Sequence, residues 1–221
     1  MVSAFPPLVQ VRSMTAADLR FVALLHGSSL AHGLFPALGP RFLRAYLHTY
    51  VASPFGLAYV ALFDGSPVGY LVGTVDERAH AEHVLRRHGR RLGVLGLVAL
   101  LVRPRVAWRF SQTRARRYLA VGARLVRSGT RASPSPGSAG GVAVLSHVAV
   151  SASARGAGVG GALVERFTQD ARSSGATAAR LLTKADGGGA SGFYERLGWC
   201  PSGVVTDRDG IMWSRFRLEL S

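Results

Sequence analysis

Apolar and polar positions along most of the chain follow patterns that predict strands and helices. Runs dominated by apolar and β-branched residues, several with alternation, predict strands. These runs cover residues 8–12, 57–63, 68–75, 142–150, 177–183, 204–206 and 212–220. Apolar residues at helical spacing predict amphipathic helices over residues 15–29 and 40–52, with a loop at 31–36 between them. Thr15 and Asp18 predict a capping box at the start of the first helix.

The strand that leads into a glycine cluster, at residues 142–161, organises the chain. Nine nearly all apolar residues predict a buried strand, and the glycines are followed by a helix whose apolar side includes Leu163 and Phe167. A strand that runs through glycines into a helix presents unpaired backbone N–H groups, and the helix dipole favours an anion there. This stretch therefore predicts a site for a phosphorylated ligand. A glycine-rich turn without a ligand is the alternative.

Two known patterns fit the glycine cluster. Gly156, Gly158 and Gly161 satisfy the G-x-G-x-x-G pattern of dinucleotide-binding folds, but that fold expects the motif early in the chain. It also expects an acidic residue at the end of the next strand, which here ends in Lys184. Arg155, Gly158 and Gly160 satisfy R-x-x-G-x-G, and Phe-Tyr-Glu-Arg-Leu-Gly-Trp follows at 193–199. Together with the preceding strand, these two ordered motifs resemble the GNAT superfamily of N-acetyltransferases.

The resemblance implies the GNAT fold, an α/β architecture with a mixed central sheet flanked by helices on both faces. The order of the predicted elements agrees with it. We expect a single acyltransferase domain over residues 1–221, in which residues 76–141 are a basic helical insertion and a flexible linker between the third and fourth strands. An arginine-rich helical insertion of this kind resembles that of some bacterial members of the superfamily.

The resemblance also implies an acyl-coenzyme A donor, acetyl-CoA in the first instance. Backbone amides of the glycine loop hold the pyrophosphate in the family, and glycine permits that close approach. The matching loop residues are Arg155, Gly156, Ala157, Gly158, Val159, Gly160 and Gly161. The pantetheine arm would pair with the main chain of Val148 and Val150, which flank Ala149. Two further cofactor positions are Phe193 and Gly187, and relatives often have asparagine in place of Gly187.

The implied reaction is direct attack of an amine on the thioester. Tyr194 lies at the family's position for the tyrosine near the sulfur, where a phenol can donate a proton to the leaving thiolate. Packing of a buried tyrosine on the sheet is the alternative role. An alkylamine with a pKa near ~10.4 must lose a proton first. The residue that accepts it departs from the family pattern, because Val144 stands where many relatives have a glutamate.

Several residues are candidates for that base. His147 has a suitable ordinary pKa, provided that a β-bulge turns its side chain towards the cleft. A core histidine with one hydrogen bond is the alternative for this residue. Ser146 is a second candidate, which would order a water that relays the proton. The carboxylates of Asp186 and Glu77 are further candidates.

Net charge is +15, and nearly all of the excess lies in one segment. Residues 78–131 contain fourteen arginines and one acidic residue, Glu82. This segment has three possible interpretations. It is a solvated helical cover over the acceptor side, or residues 86–127 make a peripheral contact with an anionic membrane. In the third, residues 92–102 line an acyl channel. Charge alone would allow nucleic acid, but the segment lacks interleaved aromatic residues and a known binding module, so nucleic acid is disfavoured.

The remaining composition excludes other classes of protein. One cysteine, Cys200, excludes an internal disulfide framework, and the seven histidines lack metal-ligand spacing, so no metal is expected. The N-terminal residues do not have the pattern of a secretory signal, and no apolar run approaches the ~20 residues that span a bilayer. We therefore expect a cytoplasmic protein.

The function expected from these observations is transfer of acetyl from acetyl-CoA to an amine of a small molecule, an amino sugar or a peptide. A long-chain fatty-acyl transferase that modifies a peptide or natural product is the first alternative. A non-catalytic acyl-CoA-binding or membrane-associated module is the second. The acceptor and the oligomeric state stay open at this point.

Overall fold

One mixed sheet forms the centre of the protein. The computed structural model describes residues 9–30, 34–103, 141–185, 190–207 and 210–220. The strands within these residues are β1 (Val9–Ser13), β2 (Gly56–Phe63), β3 (Ser66–Thr74), β4 (Gly141–Val150), β5 (Ala176–Lys184), β6 (Cys200–Thr206) and β7 (Met212–Glu219). Their order across the sheet is β1-β2-β3-β4-β5-β7-β6. β4 and β5 are parallel, and the other neighbours are antiparallel.

Helices lie on both faces of this sheet. They are α1 (Leu19–Ser29), α2 (Leu34–Ala37), α3 (Pro40–Ala52), α4 (Glu77–Leu101), α5 (Val159–Ser173) and α6 (Ala190–Arg196). The prediction of a loop at 31–36 was wrong in its second half, because α2 begins at Leu34. Its proline, Pro36, is compatible with this because the first turn of a helix does not need that N–H. Residues 31–33 lie outside the described residues.

The start of α1 is held by one carboxylate. The Asp18 carboxylate accepts hydrogen bonds from the Thr15 backbone N–H at 2.8 Å and from the Thr15 hydroxyl at 2.9 Å, so the predicted capping box is present. Two guanidinium nitrogens of Arg12 donate to the same carboxylate, each at 2.7 Å. The hydrogen bonds from Arg12 lower the pKa of Asp18 to about 2. This ion pair fastens β1 to the helix that follows it.

Separate apolar cores form on the two faces. On one face, α5 and α6 cover the sheet with side chains that include Leu163, Phe167 and Tyr194. On the other face, α1 and α3 cover it with Val22 and Leu47 among others. A smaller cluster joins α3 to α4. The two faces of the sheet are therefore covered by different helices and different side chains.

α4 is the first part of the predicted insertion 76–141. The Asp76 carboxylate accepts a hydrogen bond from the Ala79 backbone N–H at 2.9 Å, which caps the helix. α4 then continues to Leu101 and packs against α3 through Phe42, Leu92 and Ala99. The rest of the insertion and most of its linker, residues 104–140, lie outside the described residues.

Candidate active site

The parallel strands β4 and β5 separate halfway along their length. They pair from Gly141 and Ala176 up to Leu145 and Leu181, and beyond that point β4 pairs only with β3. Among the described residues, no strand therefore lies beside the main chain of β4 from Ser146 to Val150 on the β5 side. Such an edge offers backbone donors and acceptors that an extended ligand can pair with, as a further strand would. Val148, Ala149 and Val150 lie on this edge.

A β-bulge lies at the point of separation. Val72 is opposite His147, and Gly73 is opposite Leu145, so Ser146 is an extra residue without a partner on β3. Before the bulge, Leu145 faces the core under α5; after it, Val148 faces that core. The extra residue shifts the alternation by one position. Ser146 and His147 consequently both face α1 and α3, an orientation for His147 that simple alternation did not allow.

A chain of polar side chains fills the space between this bulge and α3. The side chains that interact with the Tyr50 hydroxyl are Ser146 and Tyr46, and the Tyr46 and Tyr50 hydroxyls lie 2.8 Å apart. The Tyr46 hydroxyl is also 3.1 Å from Nε2 of His147. Both tyrosines lie in the amphipathic helix predicted over residues 40–52, and their role in this network was not predicted from the sequence. Their i, i+4 spacing on one face was the only sequence signal of it.

His147 is held in its neutral form. Its ring packs edge-on against the ring of His26, with centroids 4.8 Å apart. Burial, with a smaller contribution from His26, lowers the pKa of His147 to about 3. His26 Nδ1 is 2.6 Å from the Tyr70 hydroxyl, and burial lowers the pKa of His26 to about 4. Neither imidazole is therefore matched to accept a full proton near neutral pH, although both can accept hydrogen bonds.

Glu77 is a carboxylate whose charge acts on this network. It lies in the first turn of α4 and forms an ion pair with Arg180 of β5. Arg180 is the register partner of Val144. Burial raises the pKa of Tyr50, and the charge of Glu77 adds to that effect. Glu77 thus reaches the region beside Val144, while Asp186, the other candidate carboxylate, lies outside the described residues.

The glycine loop lies between the edge of β4 and the start of α5. Gly156 and Gly158 have φ values of +81° and +79°, which favour glycine. A Cβ on either would meet no atom within 4 Å, so both face open space. The first backbone hydrogen bond of α5 runs from the Ala162 N–H to the Gly158 carbonyl, which leaves the N–H groups of residues 159–161 without helical partners. These groups, with the exposed guanidinium of Arg155, form an anion-binding arrangement.

α6 packs close to this loop and presents Tyr194. A Cβ on Gly160 would come within 3.2 Å of the Phe193 ring, so glycine there allows the two helices to approach. The Tyr194 ring lies beside Phe193, Trp199 and Phe216 and is 6% exposed. Burial raises the pKa of Tyr194 to about 12, so its phenol is protonated at neutral pH. No hydrogen-bond partner of this hydroxyl occurs among the described residues, which leaves it available as a donor.

Two other site predictions concern Gly187 and metals. Gly187 lies outside the described residues, so its position as a cofactor contact stays a prediction. In the part of the chain that the structure describes, no group of three or more His, Cys, Asp or Glu side chains is arranged to hold a metal ion. In the same part, no helix is both long enough and apolar enough to cross a membrane.

The chain is similar to one known protein family and to several solved structures. The model of the acetyltransferase (GNAT) family matches residues 28–199, and no curated protein sequence matches. A GCN5-related N-acetyltransferase from Kribbella flavida has 16% identity and a TM-score of 0.59, with 96% of this chain and 97% of that one covered. Ard1 from Thermoplasma volcanium has 17% identity and a TM-score of 0.57, with 96% and 97% covered.

A third similar structure is the ribosomal-protein-S18-alanine N-acetyltransferase from Escherichia coli. It has 15% identity and a TM-score of 0.54, with 97% of this chain and 95% of that chain covered. Identities this low show a shared fold and nothing about the acceptor. The predicted fold, a mixed sheet flanked by helices, is confirmed.

Proposed function

The chain belongs to the acetyltransferase (GNAT) family, and from this premise we propose that it transfers an acetyl group from acetyl-CoA to an amine. The observation that carries the proposal is the position of the glycine loop. Its backbone donors stand at the start of α5, directly beside the edge of β4 that has no strand partner. A ligand with a pyrophosphate and an extended amide arm matches both features at once.

The loop and the strand edge hold the donor in this proposal. Backbone N–H groups of Gly156 to Gly161 bind the pyrophosphate, and Arg155 adds a positive charge beside it. The main chain of β4 at Val148 and Val150 pairs with the pantetheine amides. Ser146 and His147 come immediately before these residues, so the thioester lies near the bulge.

Tyr194 protonates the leaving thiolate. The amine nitrogen forms a bond to the thioester carbonyl carbon, the carbon–sulfur bond breaks, and the sulfur takes the phenolic proton, which the phenolate regains from solvent before the next turnover. A phenol whose pKa is raised to about 12 is protonated at neutral pH, so its hydroxyl donates a hydrogen bond to the sulfur as negative charge develops there. The hydroxyl has no partner to release among the described residues, so it need not break an existing hydrogen bond.

The proton of the amine leaves through hydroxyl groups rather than to His147 alone. A histidine whose pKa is lowered to about 3 is a poor acceptor for the proton of an ammonium group. We assign His147 the task of accepting a hydrogen bond from the amine, with Tyr46 fixing its ring. Ser146 and Tyr50 then form a route towards the region of Glu77 and solvent.

The acceptor is proposed as an amine of a small molecule, an amino sugar or a peptide. A fatty-acyl donor would need an apolar channel, for which residues 92–102 were the sequence candidate. Five large aliphatic side chains of that stretch are instead exposed, four on α4 and one at the residue that follows it. They do not support a channel, and acetyl-CoA is accordingly the proposed donor.

Calorimetric titration with coenzyme A, acetyl-CoA and palmitoyl-CoA, followed by a thioester-consumption assay, tests this function. We expect similar affinity for all three and consumption of acetyl-CoA only when an amine is present. Loss of the thioester absorbance is the preferred readout, because the exposed Cys200 would itself react with thiol reagents. Failure to bind coenzyme A would refute the proposal. Binding without turnover across a broad panel of amines would favour the non-catalytic module.

A further inference from the structure

The outward face of α4 is divided along its length into a basic half and an apolar half. The first half presents the exposed residues Arg86, Arg87, Arg90 and Arg91. The second half presents aliphatic side chains that are 52–74% exposed, namely Val94, Leu97, Val98, Leu101 and Val102. Steps of three and four residues place nearly all of these positions on one side of a helix. We call this surface the α4 face.

The opposite side of α4 fixes how this face is presented. Leu92, Leu95 and Ala99 pack against α3. At the end of the helix, the Arg103 guanidinium donates to the Leu38 carbonyl at 2.6 Å. The helix is therefore attached at both its middle and its end. Because the opposite side of α4 is held by these contacts, the α4 face is the side of the helix that points to solvent.

The arginines of the α4 face are nearly unneutralised. Arg86 is 4.0 Å from the Glu82 carboxylate. Arg87, Arg90 and Arg91 have no ion-pair partner among the described residues. The segment 78–131 has a single acidic residue, so little negative charge is close in sequence either. A basic group beside a patch of exposed aliphatic side chains is typical of an interaction surface.

We propose that the α4 face docks on the surface of an anionic lipid bilayer. The aliphatic second half enters the boundary between headgroups and acyl chains, and the arginines lie at the level of the lipid phosphates. Arginine suits this position because its guanidinium binds phosphate oxygens in pairs. The helix is about 37 Å long, which is long enough to cross a bilayer, but the arginines of its first half make it too polar to do so. We therefore place it at the interface. Binding needs both halves, because one signal alone anchors weakly.

Two other occupants fit the α4 face less well. Nucleic acid would use the arginines and leave the aliphatic half without a partner. A second copy of the chain would need about 800 Å² per partner for a stable dimer, more than these five side chains offer. It would also bring together two molecules that each have a net charge of +15.

Sedimentation of the full chain with vesicles tests the proposal. Vesicles of phosphatidylcholine alone are compared with equimolar phosphatidylcholine and phosphatidylglycerol, at low and high salt. The apolar half is tested by Leu97→Glu with Leu101→Glu, and the control is Leu24→Glu with Val204→Glu, at positions that are similarly exposed on α1 and β6. All four residues are on the surface, so the variants retain the fold; circular dichroism verifies this.

A second pair of variants tests the basic half. Arg87→Gln, Arg90→Gln and Arg91→Gln are combined, and the control combines three exposed arginines elsewhere, Arg20→Gln, Arg44→Gln and Arg215→Gln. Each near-surface arginine changes membrane partition by about fivefold, so the triple variant should bind about a hundredfold more weakly. The control triple, which has the same net charge, should lose much less.

The expected result is salt-sensitive binding to the anionic vesicles that both α4 variants lose and both controls keep. Absence of binding at low salt would overturn the proposal. So would equal binding by the Leu97→Glu, Leu101→Glu variant and its control, which would indicate a purely electrostatic contact elsewhere. A wild-type dimer that the same variant dissociates, without vesicle binding, would identify the α4 face as a self-association surface and also refute the proposal.

Discussion

The substitution Gly158→Glu tests the phosphate loop directly. Gly158 has a φ of +79° and precedes α5, and a Cβ there would meet no atom within 4 Å. A side chain therefore fits, but its backbone must stay in the left-handed region, at a cost of about 1–2 kcal/mol of stability. Gly175 offers a matched control at the other end of α5. Its φ is +86° and its surroundings are equally open, so Gly175→Glu has the same cost away from the loop.

The added carboxylate repels a bound pyrophosphate. Two unit charges about 5 Å apart interact by about 3 kcal/mol at an effective dielectric constant of about 20. That energy corresponds to roughly a hundredfold weaker binding of coenzyme A. Gly158→Asn separates the charge from the backbone conformation, because asparagine tolerates the left-handed region and is neutral. We expect it to weaken binding by no more than about tenfold.

Calorimetry with coenzyme A measures the affinities, and urea unfolding measures the stabilities. Both glutamate variants should lose similar stability, while only Gly158→Glu should lose the ligand. Unchanged affinity in a folded Gly158→Glu protein would refute the assignment of the loop. An equal loss of affinity in Gly175→Glu would show that the effect does not depend on a position in the loop.

Three further predictions follow from the contacts described. Tyr194→Phe should lower kcat about a hundredfold or more. The KM for acetyl-CoA and the stability should change little, because the hydroxyl has no partner among the described residues. Full activity of this variant in steady-state kinetics would remove Tyr194 from the mechanism. Asp18→Asn should lower the free energy of unfolding, measured with urea, by about 1–2 kcal/mol. Glu82→Gln, whose ion pairs are exposed, should lower it by at most about 0.5 kcal/mol. Equal losses in the two variants would contradict the capping argument. Acid should destabilise the fold, because buried histidines with lowered pKa values take up protons only on unfolding. Their contribution to the free energy of unfolding is complete above about pH 6.5 and decreases as the pH falls towards 4. Urea midpoints that do not change over this range would contradict this prediction. The histidines concerned are His26, His80 and His147.

The glycine loop was predictable from sequence because its requirements are local. Glycine itself favours the left-handed φ that Gly156 and Gly158 adopt. The helix that follows is recognisable from the regular spacing of its apolar residues. The buried strand β4 was equally clear from its composition. These features lie within about twenty consecutive residues, so no long-range pairing was needed to recognise them.

The network at the bulge was only partly predictable because it depends on register. Tyr46 and His147 are 101 positions apart, and their contact requires α3 to pack on a particular face of β4. The position of the extra residue is set by pairing with β3, where Val72 and Gly73 lie opposite residues on either side of Ser146. A bulge at another position would turn His147 to the α5 side. The alternation of apolar and polar residues in β4 does not predict where the bulge lies.

The absence of a glutamate at Val144 has a spatial counterpart that the linear pattern conceals. Val144 is opposite Arg180 on the neighbouring strand, and Arg180 forms an ion pair with Glu77. Glu77 belongs to α4, the helix that begins the inserted segment, and its charge contributes to the raised pKa of Tyr50. The insertion thus supplies a carboxylate to the same side of the sheet that a residue at Val144 would face. One ion pair therefore connects the start of the insertion to the strand that lies beside Val144.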